Sequence, residues 1–423
     1  WTFPEITKFK FDTINKSIPI DIQEPKLVDA YHGISITNVS VKKSPIWLQN
    51  KLKSIDITPK NNIVDITNYI LHELGQPLHA FDAKKINKGI IVKKFKSQKK
   101  FKTLDGVERD LDENDLMICD HKKPLCIAGI IGGEESSVGD KTKDVFLESA
   151  CFNSISVRKS AKKIGLNTDA SFRFERGVDP EIGIYAIKRA AILIKELAGG
   201  IIGQISSFQQ KIKEKNVVLK FDYIDKIIGQ EISKSEIIEI LTSLDMIVKK
   251  NGQDSLKVLI PEYRIDVYRP ADLVEEILRI YGYNKIKISD KFKSNFYDYE
   301  SKTIYNFKEN IAQTLVNYGF YESINNSISS PKNNAIKDNE KSIKIINPMG
   351  AELSELRNSL IPGCLELIKF NSNRQIKNIK IFEFGKIYKR NKDNFKESKL
   401  LSIALTGNIH EENWNPKEQP DIF

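Results

Sequence analysis

Charged and hydroxyl side chains crowd one short segment, "LNTDASFRFERGVDPE", at residues 166–181. Arg173 and Arg176 lie three residues apart there, although the whole chain has only 11 arginines against 55 lysines. Lysine supplies a point charge, whereas the planar guanidinium of arginine fixes the direction of its hydrogen bonds. The segment is therefore either a polar site with fixed geometry or a solvated loop before a helix. We expect both arginines to be held by carboxylates such as Glu175 and Asp179.

A histidine and a pair of glycines are further candidates for a site. His79 follows a turn that Gly75 and Pro77 predict, and this turn would present the imidazole. A lone histidine beside leucine is also a common structural residue. Gly132 and Gly133 follow an apolar run, where the missing side chains allow a ligand to approach the backbone. Their spacing is not that of a dinucleotide-binding fingerprint, and a plain β-turn is the alternative.

Four carboxylates surround the start of a predicted helix in "RIDVYRPADLVEEILRIYGY". Pro270 suits the first helical position, and Asp266 lies shortly before it. Asp272, Glu275 and Glu276 are spaced so that they share one face of the first turns. Converging oxygen ligands of this kind suit a hard cation such as Mg²⁺. Acidic residues also stabilise the start of a helix through its dipole, so the pattern leaves both interpretations open.

The composition is that of a globular protein with room for several domains. The chain has 423 residues, of which 40% are hydrophobic and 29% charged, and its net charge is +10. This length favours about two to four domains. The basic balance permits a polyanionic partner such as nucleic acid, although a general abundance of lysine explains it equally well.

Cysteine usage and hydropathy indicate a cytoplasmic protein without a membrane span. The four cysteines form no CxxC or His–Cys cluster, which favours free, mostly buried thiols in a reducing compartment. No run of about 18 apolar residues predicts a transmembrane helix. The first residues also lack the apolar core and cleavage site of a secretory signal.

Helix and strand patterns predict an α+β multidomain protein. In the first part of the chain they predict strands over 89–95, 115–120, 125–133 and 144–152, and helices over 154–165 and 180–200. The pattern restarts near residue 214, and the polar run 287–301 is typical of a linker. A long amphipathic helix over 301–320 follows, and then strands of an antiparallel sheet.

Several motifs taken in order resemble the β-subunit family of bacterial phenylalanyl-tRNA synthetases. These motifs are "NNIVDITNYILHELGQPLHAFD", "IAGIIGGEESSV", "VFLESACF", "GLNTDASFRFERGVDPE", "ADLVEEILRIYGY" and "INPMGAELSELRNSLIPGCLELIKFNSNR". The resemblance covers nearly the whole chain and implies an internal piece of a longer subunit. It implies a mixed α/β editing domain over 1–210 and a small α+β domain at the α-subunit contact over 211–290. It also implies an incomplete, non-catalytic domain over 291–423, with the antiparallel sheet and helices of class II synthetases.

The resemblance also implies an activity and partners. Enzymes of this family are α2β2 heterotetramers that attach phenylalanine to tRNA(Phe) with ATP, which is used at the α subunit. The β subunit is expected to hydrolyse mischarged tyrosyl-tRNA(Phe), because an apolar pocket rejects an added hydroxyl by only about a hundredfold. The family's magnesium ion would fall on Asp266, Asp272, Glu275 and Glu276.

By the same resemblance, the editing pocket would contain His79, Gly132, Glu148, Thr168 and Ala170. Glu148 would accept a hydrogen bond from the phenol of tyrosine, which phenylalanine cannot offer. Thr168 would bind near the ester or the terminal ribose, and the small Ala170 would leave space for the ring. His79 would orient the attacking water or the terminal adenosine.

One position departs from the family pattern. Many members carry an arginine shortly before the "VDITNY" motif, where this chain has Thr58 in "DITPKNN". Lys60 is a possible substitute for that contact with the tRNA end. Two alternatives therefore stay open, a free-standing editing hydrolase and a non-enzymatic tRNA-binding subunit with a decayed site. The "DLVEEILRIYGY" segment and the catalytic-like segment disfavour the first alternative.

Overall fold

The computed structural model describes residues 2–12, 17–95, 99–211, 214–287, 304–334, 342–391, 394–408 and 414. The chain divides into two compact units, Trp1–Asp290 and Lys291–Phe423. Both combine helices with mainly antiparallel sheets, so the α+β class predicted from the sequence is confirmed. The finer domain boundaries remain predictions.

The first unit contains most of the regular structure. Its strands are β1 (Ile20–Ile22), β2 (Val28–Thr37), β3 (Leu78–Asp82), β4 (Ile90–Lys94), β5 (Lys99–Lys102), β6 (Glu108–Leu111), β7 (Leu116–Cys119), β8 (Pro124–Ile127), β9 (Ile131–Gly132), β10 (Asp144–Phe152), β11 (Ile201–Gln209), β12 (Lys215–Lys220), β13 (Ile247–Lys250) and β14 (Ser255–Ile260). Its helices are α1 (Ile46–Lys53), α2 (Asn62–Leu74), α3 (Ser154–Ile164), α4 (Asp169–Phe174), α5 (Ile182–Ala198), α6 (Phe221–Ile228), α7 (Lys234–Ser243) and α8 (Pro270–Tyr281).

An antiparallel sheet of order β11-β2-β10-β3 lies at the centre of the first unit. Its two faces belong to different cores because side chains alternate along a strand. Val145 and Leu147 of β10 pack with α1, α2 and α5, whereas Phe146 and Ala150 pack with the sheet β1-β4-β7-β8-β9. Burial on both faces explains why apolar residues occupy positions on both faces of β10 instead of alternating with polar ones.

The hairpin β8–β9 corrects one sequence prediction. Residues 125–133 were predicted as a single strand, but the chain reverses between Ile127 and Ile131. Gly129 makes the turn with a φ of +70° and is packed against Phe152, Val157 and Phe174. Ala128 and Ile130 are buried beside it, so the turn is as apolar as its strands and hydropathy does not reveal it.

A third core of the first unit joins the sheet β12-β14-β13 to α6, α7 and α8. The amphipathic helix α8 buries Leu273, Val274 and Ile277 in this core. Its N-terminus lies at Pro270, as predicted. All four cysteines of the chain are free and buried, as the sequence predicts.

The second unit contains α9 (Ile304–Asn317), α10 (Pro331–Asn334), α11 (Ile361–Ser372), β15 (Tyr321–Glu322), β16 (Ile328–Ser329), β17 (Glu355–Leu356), β18 (Ile379–Asn391) and β19 (Asn394–Thr406). β18 and β19 form a long antiparallel hairpin with β15 at its edge, and β16 pairs with β17. Nearly all of the predicted linker 287–301 lies outside the described residues. No helix within the described ranges is long and apolar enough to cross a membrane.

Candidate functional site

A cavity of about 360 Å³ lies in the first unit where α2, β3, the β8–β9 hairpin and α4 meet. Four residues predicted from the sequence line it: His79, Gly132, Thr168 and Ala170. Most of its other lining residues are apolar, and the polar ones are Lys60, Asn61, Thr67, Asn68, Ser137 and Asp169. This mixture is typical of a site for a small organic group.

The position of His79 follows from how α2 ends. Gly75 terminates the helix in the left-handed conformation, and Pro77 then directs the chain into β3. His79 packs edge-on against Phe81, with ring centroids 4.4 Å apart, and its Nε2 is buried and has no hydrogen-bond partner in the described part of the chain. Burial lowers the pKa of His79 to about 4, so the imidazole is neutral at pH 7.

Gly132 lies in close contact with the imidazole, beside that nitrogen. A Cβ at this position would lie 2.5 Å from Cε1 and 2.7 Å from Nε2 of His79. It would also approach Leu104 Cδ1 to 3.0 Å. Any side chain here would therefore fill the space next to Nε2 or displace the imidazole.

Thr168 has a structural role in addition to lining the cavity. Its Oγ1 accepts a hydrogen bond from the backbone N–H of Ser171 and donates one to the carbonyl oxygen of Ile130, at 3.0 and 2.8 Å. It therefore caps α4 and ties that helix to the β8–β9 hairpin. Because its only hydroxyl proton is used, a ligand would contact the remaining lone pair of the oxygen. Two residues further on, Ala170 adds only a methyl group to the cavity wall.

Glu148 is the one predicted pocket residue that does not line the cavity. It lies opposite His79 in the β3–β10 register, a separation of about 5 Å between Cβ atoms. The side chain is buried, and its Oε2 accepts a 2.9 Å hydrogen bond from the hydroxyl of Tyr31. Burial raises the pKa of Glu148 to about 8, although the Tyr31 hydrogen bond lowers it. The carboxyl group is therefore mainly protonated at pH 7.

The guanidinium groups of Arg173 and Arg176 form hydrogen bonds within the 166–181 segment, and Arg173 also reaches α2. Arg173 donates to the carbonyl oxygen and side chain of Asp169, at 2.9 and 3.2 Å, and its Nη2 donates to Nδ1 of His72 at 3.2 Å. It thereby links α4 to α2 across the cavity wall. Because His72 must accept this bond, its imidazole is neutral, and burial followed by the charge of Arg173 lowers its pKa.

The prediction that Glu175 and Asp179 hold these arginines was partly right. Arg176 donates to Glu175 Oε1 at 2.6 Å, as expected, and its guanidinium lies 3.6 Å from the ring centroid of Phe172. Asp179 instead accepts from the backbone N–H of Glu181.

The four acids near α8 do not converge on a common point. Arg264 holds Asp266 through two hydrogen bonds of 2.9 and 2.8 Å, and the same guanidinium donates to Glu276 at 2.9 and 3.2 Å. Arg279 donates to Glu276 as well, at 2.6 Å. The hydrogen bonds from Arg264 are the largest influence lowering the pKa of both acids.

The remaining two acids lie in different surroundings. Asp272 accepts from the backbone N–H of Arg269 and from its guanidinium, which lowers the pKa of Asp272 to about 2. Glu275 is exposed. Within the described ranges, no group of three or more His, Cys, Asp or Glu side chains could hold a metal ion. In this structure arginines bind Asp266, Asp272 and Glu276, and the binding of Mg²⁺ by the four acids stays a prediction.

Family models match three successive parts of the chain. The B3/4 domain matches residues 27–199 and the tRNA synthetase B5 domain matches 217–283. The phenylalanyl tRNA synthetase beta chain CLM domain matches 293–423. Among curated proteins, the phenylalanine–tRNA ligase beta subunit of Bacteroides fragilis is 41% identical over 98% of this chain. That of Porphyromonas gingivalis is 39% identical over 97%. The chain belongs to the phenylalanyl-tRNA synthetase β-subunit family.

The chain spans about half the length of the curated family members it matches, 52% in both cases. One solved structure is an N-terminal fragment of the phenylalanyl-tRNA synthetase beta subunit from Pyrococcus horikoshii. Its alignment with this protein covers 65% of this chain and 77% of the Pyrococcus chain. At 17% identity and a TM-score of 0.32, this likeness is too low to support an argument.

The departure from the family pattern lies beside the cavity. Thr58 is exposed and does not line the cavity, whereas Lys60 does. Two residues next to the site were not predicted from the sequence. Leu104 lies at the tip of the β5–β6 hairpin, and its exposed apolar side chain lines the cavity. Asp105 and Gly106 mark this turn in the sequence, so a leucine beside them is a local signal of an exposed apolar residue. Tyr31 lies 117 residues from Glu148, and no local pattern marks their contact.

Proposed function

We propose that this chain supplies the editing hydrolase of a phenylalanine–tRNA ligase. Its substrate is tRNA(Phe) that carries tyrosine, and its reaction is hydrolysis of the aminoacyl ester. Water adds to the ester carbonyl, the bond to the ribose oxygen breaks, and free tyrosine and uncharged tRNA leave. The cavity in the first unit is the proposed site.

The observation that carries this proposal is the close approach of Gly132 to the imidazole of His79 in the wall of one cavity, where a Cβ on Gly132 would lie 2.7 Å from Nε2. Nε2 is buried and lacks a partner among the described residues, which is unfavourable unless a ligand or water completes its hydrogen bonding. A neutral imidazole at this point can hold a water molecule by one hydrogen bond. With its pKa near 4, His79 is a weak base, so its proposed role is to orient the water rather than to remove its proton.

Selection of tyrosine is assigned to Glu148. The carboxyl group lies one strand away from His79, and only one of its oxygens is used by Tyr31. A buried carboxyl oxygen that gains the hydrogen bond of a phenol is satisfied, whereas a phenylalanine ring would leave it unpaired. The methyl group of Ala170 adds little bulk to the cavity wall, which leaves room for an aromatic ring.

The tRNA end is proposed to enter past Lys60, which lines the cavity and is exposed. A lysine there attracts a phosphate as a point charge, without the directed fork of an arginine. The net charge of +10 favours binding of the polyanion as a whole.

The same proposal includes an α subunit as partner in an α2β2 assembly, with ATP-dependent attachment of phenylalanine occurring on that subunit. Arg264 links Asp266 and Glu276 near the start of α8, and this cluster of charges is assigned to the α-subunit contact. Their exposed members, Asp266 and Glu275, are available to a partner surface.

The test is deacylation of tyrosyl-tRNA(Phe) by the complete enzyme, with Gly132→Ala as the variant. We expect the substitution to reduce the rate at least tenfold, because a methyl group would clash with the imidazole of His79 and displace it. Gly139→Ala is the matched control, since a Cβ at Gly139 would contact nothing within 4 Å. A wild-type enzyme that leaves tyrosyl-tRNA(Phe) intact, or a Gly132→Ala enzyme as fast as the control, would contradict the proposal.

A further inference from the structure

Tyr31 is a fully buried residue whose hydroxyl has one hydrogen-bond partner among the described residues. It lies on β2 opposite Ala150 of β10, and its ring packs edge-on against Phe152 with centroids 6.5 Å apart. Glu148 is two residues from Ala150 and on the same face of β10. Tyr31 and Glu148 are thus diagonal neighbours, at a separation that an aromatic side chain can span. The hydroxyl donates to Glu148 Oε2 at 2.9 Å.

The hydroxyl of Tyr31 is not needed to fill the core. Phenylalanine would pack against the same neighbours, and it would avoid burying a polar group. Burial and the nearby carboxyl group raise the pKa of Tyr31 well above its usual range, so the phenol is a permanent donor at neutral pH. The feature that distinguishes tyrosine from phenylalanine at this position is therefore the hydrogen bond to Glu148.

This hydrogen bond makes the two oxygens of Glu148 different. Oε2 is held by Tyr31, whereas Oε1 makes no hydrogen bond to a described residue. Oε1 is not fully enclosed, whereas Nε2 of His79 is. Oε1 is therefore the oxygen left for a ligand, and rotation of the carboxyl group would break the bond to Tyr31.

We infer that Tyr31 is a positioning residue for substrate selection, which fixes Glu148 so that Oε1 meets the hydroxyl of a phenol-bearing aminoacyl group. The inference rests on the proposed function and adds a residue that contacts neither the substrate nor the cavity. The protein then uses one buried phenol to orient the carboxyl group that recognises a second phenol.

The ionisation of Glu148 supplies a readout that a purely structural role would not change. Three groups face this carboxyl from the elements around it: Tyr31 on β2, His79 on β3 and Cys126 on β8. The Tyr31 hydrogen bond lowers the pKa of Glu148 against the effect of burial. Removing the hydroxyl therefore raises this pKa further. Because a carboxylate is a stronger acceptor than a carboxylic acid, preference for tyrosine should increase with pH as Glu148 ionises.

The experiment compares Tyr31→Phe with wild type in the complete enzyme, using tyrosyl-tRNA(Phe) and phenylalanyl-tRNA(Phe) as substrates across pH 6–9. We expect the tyrosine preference to fall roughly tenfold at neutral pH, the factor that one hydrogen bond to a carboxyl group represents. We also expect the rise of preference with pH to move to higher pH. Tyr69→Phe is the matched control. Tyr69 also donates its hydroxyl to a glutamate, Glu73, at 2.9 Å, and neither residue lines the cavity.

The outcomes separate this inference from the proposed function. A wild-type enzyme that hydrolyses tyrosyl-tRNA(Phe) selectively, with a Tyr31→Phe variant of equal preference and equal pH profile, overturns the role of Tyr31 alone. A wild-type enzyme that does not hydrolyse tyrosyl-tRNA(Phe) overturns both. Loss of preference in the Tyr69→Phe control to the same extent would also overturn the inference, since removal of any buried phenol would then suffice.

Discussion

Replacing Glu148 by glutamine should change how the stability of the first unit depends on pH. Glutamine keeps an oxygen that accepts from Tyr31 but cannot ionise. In the wild-type protein, burial raises the pKa of Glu148 from 4.5 to about 8. The folded state therefore holds a proton that the unfolded state has already released, and stability decreases as pH rises from 4.5 through 8.

The size of this effect follows from the two pKa values. Between pH 5.5 and 8.5 the wild-type protein should lose about 3 kcal/mol of stability through Glu148, at about 1.36 kcal/mol for each pH unit in which only the folded state is protonated. Burial acts in the opposite direction on His32 and His79, because it lowers each pKa to about 4. Their contribution is complete above pH 6.5 and is lost as the pH falls towards 4, and it cancels in a comparison of wild type with Glu148→Gln.

The assay is hydrogen exchange of the β2 and β10 amides, converted into opening free energies at pH 5.5 and 8.5 after correction for the intrinsic exchange rate. The difference between Glu148→Gln and wild type should grow by about 3 kcal/mol in favour of the variant as the pH rises. Glu73→Gln serves as a control, because Glu73 is a carboxylate held by Arg189 at 3.1 Å. A difference between Glu148→Gln and wild type that stays constant across this range would refute a buried, protonated Glu148.

Three further predictions concern the site and the acids near α8. His79→Ala should lower the rate of tyrosyl-tRNA(Phe) deacylation while changing the preference over phenylalanyl-tRNA(Phe) much less than Glu148→Ala does; equal loss of preference would contradict the assignment of separate roles. Glu276→Gln should destabilise the first unit by about 1.5–3 kcal/mol, since two arginines lose a charged partner, whereas the exposed Glu275→Gln should have little effect in urea denaturation. Arg173→Lys should speed hydrogen exchange in α4, because lysine cannot bind Asp169 and His72 together; unchanged exchange would argue against the bridge.

The parts of the fold that were predictable from sequence are those whose signal is local. β10 was predicted over 144–152, its observed extent, because apolar residues occupy most of that short stretch. The turn at Gly129 escaped prediction because it is as buried as the strands beside it. Hydropathy reports where side chains are buried, and it reports a reversal of the chain only when the turn is solvated.

The site shows the same division between local and distant information. Resemblance to known motifs selected His79, Gly132, Thr168 and Ala170, and these residues line one cavity. It did not select Tyr31, because the contact with Glu148 depends on the pairing of β2 with β10. Near α8, helical spacing identified the acids that share a face, but it did not predict that Arg264 would bind two of them.

Thr168 has a consequence for how the specificity of this cavity can change during evolution. Its single hydroxyl both starts α4 and anchors the hairpin that carries Gly132, so a substitution there alters folding and cavity shape together. Ala170 lines the same cavity, and its methyl group makes no hydrogen bond that a substitution would break. Variation in the accepted amino acid should therefore accumulate at Ala170, where a new side chain changes the cavity without loosening its walls, while position 168 stays restricted to residues that can cap a helix.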